Sequence, residues 1–493
     1  MAEYARRVIL TGHFPEDIIR KFSDMLDYFG QSPIIVRSSS LLEDNFGNAF
    51  SGKYESVFCP NQGSRETRLE NLLTAIKNIY ASTLSEKALQ YRSQLGILEK
   101  DEQMPLLIQR VSGDLHGNYF FPAAAGVGYS YNPYVWNPAI DPEAGVIRIV
   151  YGMGTRAVDR CDADYTRIAS LSALELRPES GIDEIRRYSQ HRVDVIELDA
   201  NQLVAIDFEE LAEVVSDEEK ALLTSIEREH RSRYISFTGL FRTTRFREDI
   251  SAILKTLEGA YTYPVDVEFT LNLTGPGEYR INIVQCRPFE VRRHNEVHVK
   301  MANSEDKNIL MSSSRGTVIG RSREIRPERI IYVPGTVYDA LSVSQKHLTA
   351  RTIGKVMKMT DPRTVVVLIG PGRWGTTTPS LGIPVSFPEI SRADCLCEVV
   401  EMGENLIPDV SLGTHFFNDL VELDILYLAL YPHQAYTVFN PELLLDEPNM
   451  LTRIINTPEA RTLEEVIHVA DTDPQRTLLS ADIIGQRYLF SYR

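Results

Sequence analysis

Apolar residues in the first third of the chain recur at helical spacing. Over residues 16–29 they stand three and four positions apart, which predicts an amphipathic helix. A second such run, preceded by Ser64 as an N-cap, predicts a long helix over residues 65–94. The short apolar run 33–37 predicts a strand, and the Ser-, Asn- and Gly-rich stretch 38–52 predicts an ordered loop.

After residue 104 the pattern changes to strands. Apolar runs interrupted by Gly, Pro and Asn cover residues 106–111, 119–129 and 146–151, and they predict a mainly antiparallel sheet. A charged segment then predicts a further helix over residues 217–234.

Residues 265–286 have the pattern of a β-hairpin. Apolar and polar residues alternate from Val265 to Asn272, and a second strand-like run follows the turn around Pro276 and Gly277. A turn centred there places Glu268 opposite Gln285 and Asp266 opposite Arg287. One face of the hairpin is then polar and the other apolar.

A polar, charged segment around residues 292–314 marks a domain boundary. Beyond it, strands are predicted at 316–319, 329–333, 364–369 and 395–400, and a helix is predicted at 345–358. We therefore predict an α/β (α+β) protein of two domains. The first, residues 1–300, combines helices with antiparallel sheets, and the second, residues 301–493, is a mixed α/β domain.

Composition narrows the classes of function. With 43% hydrophobic and 24% charged residues in 493, the chain has the composition of a soluble globular protein. The formal net charge of -16 argues against a general nucleic-acid-binding surface, so an anionic ligand requires a local basic pocket. No apolar run is long enough to cross a membrane. The polar N-terminus and five scattered cysteines lead us to expect a cytoplasmic protein.

The polar face of the predicted hairpin carries the most informative chemistry. Glu268 and Gln285 supply hard oxygen ligands suited to Mg²⁺, and Arg287 offers paired donors to a phosphoryl group. The alternative is a solvated sheet face with a surface ion pair between Asp266 and Arg287, and the spacing alone favours it.

Other candidate residues also carry two interpretations. Arg37, at a strand end before three serines, suits a phosphate clamp or an ordinary exposed turn. Gln109 lies in an apolar strand and requires either a ligand or a backbone partner. Gly152 and Gly154 allow backbone amides to approach phosphates, although a plain turn is commoner.

The second half contains two further candidates. The glycine-rich segment 370–378 is either an anion-binding turn that includes Arg373 or a tight loop anchored by Trp374. His415 could accept a phosphoryl group, but a core histidine between aromatic residues is the commoner case.

Together these motifs resemble, in order, the nucleotide-binding domain of phosphoenolpyruvate synthase and pyruvate phosphate dikinase. The matching segments are Ile35–Ser40 with Glu43 and Asp44, Phe50–Ser56, Ala81–Arg92, Leu107–Val111, Ala125–Gly128 with Asn132 and Pro133, Tyr151–Gly154, Asp266–Phe269 and Val284–Pro288. The resemblance covers about residues 16–291.

The resemblance implies an ATP-grasp-like module that uses ATP and Mg²⁺ to phosphorylate a histidine on a mobile partner domain. Residue by residue, it implies that Arg37 and Arg287 clamp phosphates as catalytic residues, and that Glu268 and Gln285 hold Mg²⁺. Gln109 would lie near the nucleotide, with Gly152 and Gly154 beside it. Phosphoenolpyruvate or pyruvate is implied as a further ligand.

Three departures from the family pattern leave the activity open. The family's lysine-bearing glycine loop is expected upstream of residue 16 but is not found in residues 1–15, so we expect the module to be incomplete at its N-terminus. A partner chain could supply the loop or the phosphohistidine domain. Thr155 replaces an acidic residue, and Tyr131 replaces an arginine. Two functions follow. The chain is either a phosphotransferase with an unidentified acceptor or a non-catalytic sensor of nucleotide or phosphometabolite. Such a sensor would be completed by a partner or would regulate a partner.

Overall fold

The structure is a computed structural model. It describes residues 2–40, 54–94, 98–99, 103–132, 139–158, 165–177, 185–186, 189–226, 233–289, 299, 308–314, 317–320, 322–376, 379, 381–400, 420, 424–483 and 485–492. The chain divides into two compact units. Unit 1 comprises Met1–Tyr131 and Glu143–Phe289, and unit 2 comprises Asn132–Pro142 and Glu290–Arg493. The predicted domain boundary at residue 300 lies outside the described residues and stays a prediction.

Unit 1 combines helices with antiparallel sheets, as predicted. Its described helices are α1 (Ala2–Thr11), α2 (Glu16–Phe29), α3 (Arg65–Ser82), α4 (Glu86–Gln94), α5 (Thr155–Val158), α6 (Phe208–Leu211), α7 (Asp217–Leu223), α8 (Thr238–Thr243) and α9 (Phe246–Tyr261). Its described strands are β1 (Ile34–Ser38), β2 (Ser56–Cys59), β3 (Leu106–Arg110), β4 (Asp114–His116), β5 (Tyr119–Phe121), β6 (Ala124–Tyr129), β7 (Val146–Val150), β8 (Arg167–Ser170), β9 (Arg192–Glu197), β10 (Gln202–Asp207), β11 (Thr224–Ile226), β12 (Arg233–Ile235), β13 (Val265–Gly275) and β14 (Glu278–Pro288).

Two sheets of unit 1 carry the candidate residues. The first has the strand order β2-β1-β3, and the second has the order β14-β13-β6-β7-β8. A further four-stranded sheet has the order β10-β9-β5-β4. Residues 111–113 connect β3 of the first sheet to β4 of this one.

Each of these two sheets buries one face. Ile34 and Val36 of β1 pack with Leu72, Ile76 and Ile79 of α3 in a core of their own. Alternate residues of β13, beginning with Val265 and Val267, pack in a larger core that includes Ile250 and Leu254 of α9. Because side chains alternate along a strand, Arg37 of β1 and the polar residues of β13 lie on the opposite faces.

Two predicted helices end earlier than the pattern indicated. The helix predicted over 65–94 breaks into α3 and α4, because the hydroxyl of Thr83 donates to the carbonyl of Tyr80 and Ser85 caps the amide of Ala88. The helix predicted over 217–234 is wrong beyond Leu223, where the chain forms β11 and pairs with β12.

Unit 2 is mixed α/β, as predicted. Its described strands are β15 (Ile309–Ser313), β16 (Thr317–Ile319), β17 (Arg323–Ile325), β18 (Arg329–Tyr332), β19 (Val366–Pro371), β20 (Arg373–Trp374), β21 (Gly382–Ile383), β22 (Cys395–Val399), β23 (Leu426–Leu430), β24 (Thr437–Phe439), β25 (His468–Asp471), β26 (Thr477–Asp482) and β27 (Arg487–Tyr492). Its described helices are α10 (Gly335–Asp339), α11 (Val343–Met359), α12 (Phe387–Ile390), α13 (Glu442–Leu445), α14 (Leu451–Ile454) and α15 (Pro458–Thr462). Strands β18, β19, β22 and β23 are parallel neighbours, and a core is shared with the antiparallel sheet β17-β26-β27-β15-β24.

Candidate functional site

The hairpin β13–β14 places the predicted polar residues opposite one another. Glu268 pairs with Gln285, and Asp266 pairs with Arg287, which confirms the predicted register for both pairs. Over residues 269–273 the predicted register is wrong by one residue, although Gly275 again pairs with Glu278 as predicted. The next pair is Phe269 with Ile283, so a bulge follows the Glu268–Gln285 pair and leaves Val284 without an opposite residue.

Arg37 reaches this hairpin face from the other sheet. Its Nη2 donates to Oε2 of Glu268 at 2.9 Å and to Oε1 of Gln285 at 2.8 Å. The side chains of Arg37 and Glu268 are 18% and 20% exposed. The ion pair is therefore mostly buried but still reachable by solvent. Arg37, Glu268 and Gln285, which are far apart in the sequence, are therefore in direct contact.

The chemistry of this donor set fits a small hard cation. A carboxylate oxygen and an amide oxygen converge on one positively charged nitrogen, and both oxygen types are ligands that Mg²⁺ prefers. Within the described ranges, no group of three or more His, Cys, Asp or Glu side chains is arranged to hold a metal. Glu268 and Gln285 would therefore supply two ligands, leaving the others to phosphate oxygens and water.

Arg287 and Asp266 form a buried ion pair. Nε and Nη2 of Arg287 donate to Oδ2 of Asp266 at 3.0 and 2.9 Å. Their side chains are only 13% and 5% exposed, so the alternative of a solvated surface pair is wrong. It fails because β6 pairs with the other edge of β13 and places Tyr129 opposite Asp266.

Gln109 shares the Arg37 face of its sheet. It lies opposite Ile35 on β3, and residues 35 and 37 of β1 point to the same side. The side chain of Gln109 is half-buried. Its predicted place beside a nucleotide stays a prediction.

Packing against neighbouring residues explains why the turn of Gly152 and Gly154 contains glycine. Gly152 has φ +82°, and a Cβ there would approach Cγ1 of Val193 to 2.3 Å, so a larger residue does not fit. The next amide, that of Met153, donates to the carbonyl of Asp194. A Cβ on Gly154 would lie 3.4 Å from that of Ala125, on the same sheet face as Glu268. The turn thus borders the site, and its contact with phosphate stays a prediction.

Arg148 is a further arginine on this sheet face, and the sequence analysis missed it. It lies opposite Val127 on β7, as Glu268 does on β13, so these side chains share one face. It is buried, and its Nη1 donates to the carbonyl of Ala157. The available signal was a single arginine inside the otherwise apolar run Val146–Val150.

Tyr129 lies between the charged groups of this face. Burial raises the pKa of its phenol well above the usual value. The nearby carboxylates of Asp266 and Glu268 raise that pKa further, while Arg148 and Arg287 oppose them. Tyr129 therefore remains a neutral hydroxyl at physiological pH.

In unit 2, the glycine-rich turn is a packed loop. Trp374 is 1% exposed, and its amide and indole nitrogens donate to Glu398 and to the carbonyl of Cys397. The amides of Gly372 and Arg373 donate to the carbonyls of Val399 and Leu381. Over residues 372–374 the structure therefore has the tight loop anchored by Trp374, because these amides already bind protein oxygens. The anion-binding interpretation also involves Thr377 and Thr378, which lie outside the described residues, and stays a prediction.

Some sequence candidates lie outside the described residues. These are His415, Thr377 and Thr378 in unit 2, and Glu43, Asp44 and the rest of residues 41–53 in unit 1. In the part of the chain that the structure does describe, every helix is too short or too polar to cross a membrane.

Residues 1–308 match the family of the pyruvate phosphate dikinase AMP/ATP-binding domain. The chain is 24% identical over 282 residues to an uncharacterised phosphotransferase of Bacillus subtilis, YvkC, covering 57% of this chain and 27% of that protein. It is 23% identical over 375 residues to phosphoenolpyruvate synthase of Aeropyrum pernix, covering 73% and 40%. Rifampicin phosphotransferase of Bacillus cereus is 26% identical over 138 residues, covering 28% and 14%. The chain spans less than half the length of these relatives.

Proposed function

Because the chain belongs to the family of the pyruvate phosphate dikinase AMP/ATP-binding domain, we propose that it binds Mg-ATP on the hairpin face and transfers a phosphoryl group. One observation carries the proposal. Nη2 of Arg37 lies within hydrogen-bond distance of both Glu268 and Gln285, so a cation suited to phosphate and two oxygens suited to Mg²⁺ share one point. Phosphoryl transfer requires mainly such positioning and charge neutralisation.

Each residue has a distinct task in this proposal. Glu268 and Gln285 would hold Mg²⁺, which would supply positive charge to offset that of the phosphates. Arg287 donates to a phosphoryl oxygen and stays oriented by Asp266, which occupies its Nε and Nη2. Arg37 neutralises a second phosphate. Gln109 and the turn of Gly152 and Gly154 flank the nucleotide.

Arg37 must change partners when the nucleotide binds. Its guanidinium now occupies the two oxygens that Mg²⁺ would take. A guanidinium and a divalent cation cannot share those oxygens at close range because like charges repel. We therefore expect Arg37 to turn from Glu268 and Gln285 towards the phosphates.

We propose the phosphoryl acceptor only by its chemical class. The names of the relatives include phosphoenolpyruvate synthase and rifampicin phosphotransferase, which differ in what they phosphorylate. We propose a histidine on a partner domain as the first acceptor, with phosphoenolpyruvate or pyruvate as the further ligand, in a cytoplasmic setting. The acceptor nitrogen would bond to phosphorus as the P–O bond to the nucleotide breaks, and the nucleotide would leave with the bridging oxygen.

The test of nucleotide binding is Glu268→Gln, which keeps the shape of the side chain and removes its charge. We expect the affinity for Mg²⁺ with a non-hydrolysable ATP analogue to fall by about ten- to a hundredfold, because hydrogen bonds and ligands at charged groups contribute about 1.5 to 3 kcal/mol. The control is Glu278→Gln, an exposed carboxylate on the same hairpin. Equal affinity of the two variants in calorimetric titration would remove Glu268 from the site.

Two replaced residues, Tyr131 and Thr155, favour the sensor as a second candidate. Thr155 stands where the family has an acid, and its hydroxyl donates to Asp194 at 2.6 Å. ATP labelled at the β or γ position separates the two functions. Acid-labile label on the chain or on a partner in cell extract indicates the phosphotransferase. Binding without transfer or hydrolysis indicates the sensor.

A further inference from the structure

Ser112 is the centre of a polar network on the hairpin face. Its Oγ donates to Oδ1 of Asn272 at 2.7 Å and accepts from Oγ1 of Thr270 at 2.8 Å and from Nδ2 of Asn282 at 2.9 Å. A serine hydroxyl has one proton to donate and two lone pairs to accept, so its hydrogen-bonding capacity is fully used. Nδ2 of Asn272 then donates to Asp114 at 2.8 Å, which extends the network.

The network joins the sheet of Arg37 to the hairpin of Glu268. Ser112 follows β3, whose residue Gln109 pairs with β1, while Thr270 and Asn282 belong to β13 and β14. Arg37 makes a second polar link between these elements, at Glu268 and Gln285. Among the described residues, the two sheets are therefore joined at least at these two points.

The network also bounds the bulge beside the proposed metal ligands. The Glu268–Gln285 pair lies on one side of Val284, and the Thr270–Asn282 pair follows on the other after Phe269 and Ile283. Bulges next to functional sites redirect side chains. Fixing Thr270 and Asn282 to one hydroxyl fixes the register beyond the bulge, and with it the direction of Gln285.

The two links differ in what nucleotide binding does to them. In the proposed function, Arg37 would leave Glu268 and Gln285, because the oxygens that it binds are those that would hold Mg²⁺. The Ser112 link centres on a neutral hydroxyl whose proton and lone pairs are all in use, so a metal or phosphate finds no open position on Ser112 itself.

We propose that Ser112 is a positioning residue: it holds the Arg37 sheet and the bulged hairpin in register after Arg37 leaves Glu268 and Gln285. This inference rests on the proposed function. Ser112 does not contact the nucleotide, and it acts through the geometry of Glu268 and Gln285. Its loss should therefore change the metal dependence of nucleotide binding more than binding of the nucleotide without metal.

The experiment titrates the chain with a non-hydrolysable ATP analogue at a series of Mg²⁺ concentrations. For Ser112→Ala and Asn282→Ala, we expect the Mg²⁺ concentration for half-maximal binding to rise about three- to tenfold, the effect of one or two neutral hydrogen bonds. Ser112→Thr keeps the hydroxyl and should restore most of the wild-type value. The control is Ser64→Ala, which removes the N-cap hydrogen bond to the amide of Thr67 outside this face.

Melting curves on all variants separate positioning from stability. Ser64→Ala and Ser112→Ala should both melt earlier, but only Ser112→Ala and Asn282→Ala should need more Mg²⁺ well below the melting temperature. An unchanged Mg²⁺ requirement in both Ser112→Ala and Asn282→Ala would overturn this inference and leave the proposed function standing. A wild-type chain that binds no Mg-nucleotide would overturn both.

Discussion

The arginines of unit 1 differ in how far water reaches the carboxylates that they bind. Arg242 makes a two-bond pair with Glu175, and both side chains are about three-fifths exposed, at 59% and 63%. Arg287 donates from the same two nitrogens, Nε and Nη2, to a single oxygen of Asp266 in a nearly buried setting. An exposed pair contributes little, whereas breaking a buried one leaves a charge without compensation. Two hydrogen bonds from the same arginine nitrogens therefore have different consequences at the two places.

Arg287→Lys tests this difference and the proposed phosphate contact together. Lysine keeps the charge but loses the planar fork, so nucleotide affinity should fall by about ten- to a hundredfold. Because the Asp266 pair is buried, we also expect the free energy of unfolding to fall by about 1.5 to 3 kcal/mol. Calorimetric titration and urea unfolding on one preparation measure both.

Arg242→Lys is the matched control, since it changes the same pair of hydrogen bonds on an exposed surface. Its unfolding free energy should change by at most about 1 kcal/mol, and its nucleotide affinity should not change. A loss of stability in Arg287→Lys with unchanged affinity would return Arg287 to a structural role.

The sequence could predict residues whose positions follow from strand alternation. Glu268 and Gln285 were placed opposite each other by counting from the turn, and the register confirms this. The need for glycine at position 152 could not be predicted, because the atom that excludes a side chain belongs to Val193, forty-one residues away. The contact of Arg37 with Glu268 likewise joins separate sheets, and only the family resemblance indicated it.

At the scale of elements, local preference predicted whole helices better than their ends. The helix predicted over 217–234 stops at Leu223, where Thr224 takes an extended conformation and β11 begins. Pairing with β12 and burial of Ile235 decide this boundary, and neither is visible in local spacing. The hairpin was predicted because its turn and alternation are local, but the bulge at Val284 was not.

Helix α7 contributes a buried carboxylate whose ionisation should be visible in stability. Burial raises the pKa of Glu219 to about 7, the hydrogen bond from Tyr151 opposes this, and the charge of Asp114 adds to it. Nδ1 of His116 lies 3.6 Å from Glu219, and burial lowers the pKa of that histidine. These groups link α7 to β4 and to the strand before the Gly152 turn.

The raised pKa of Glu219 predicts a stability difference between acidic and neutral pH. The folded state holds the proton of Glu219 more tightly than the unfolded state. The contribution of this protonated carboxyl group to the free energy of unfolding is therefore full below about pH 4.5 and is lost as pH rises through about 7. Glu219→Gln removes this titration. At pH 8 we expect the variant to be more stable than wild type by on the order of 2 to 3 kcal/mol, and the difference should shrink at pH 5.

Urea unfolding of wild type and Glu219→Gln at pH 5 and pH 8 measures this difference. Comparison with the variant matters, because His116 titrates with the opposite sign and is present in both chains. Glu213→Gln, at an exposed position just before α7, is the control and should leave the pH dependence unchanged. A variant difference that is equal at both pH values would contradict the prediction.

At the scale of the molecule, the family match and the candidate site fall in the same part of the chain. The match covers residues 1–308, and Arg37, Glu268, Gln285 and Arg287 all belong to unit 1. A net charge of -16 makes such a local group of arginines necessary for binding a polyanion. In unit 2, open α/β sheets commonly bind ligands at the carboxyl ends of parallel strands, but there the turn after β19 is filled by Trp374.

Hydrogen exchange with and without Mg²⁺ and a non-hydrolysable ATP analogue tests this location in the whole chain. At a ligand concentration one hundred times its dissociation constant, the bound state gains about 2.7 kcal/mol. Amides that exchange through local opening of β1, β13 and β14 should then slow by up to about a hundredfold. Amides of β19 and β22 that exchange by local opening should keep their rates, because the proposed site does not include them.

Glu268→Gln distinguishes site protection from a general effect of added nucleotide. At the same ligand concentration the variant is less saturated, so protection of β13 and β14 should fall in proportion to its lost affinity while exchange in β19 and β22 stays the same. Protection concentrated in β19 and β22, in wild type and variant alike, would place the nucleotide in unit 2. The polar residues of the hairpin face would then have a structural role and would not bind the nucleotide.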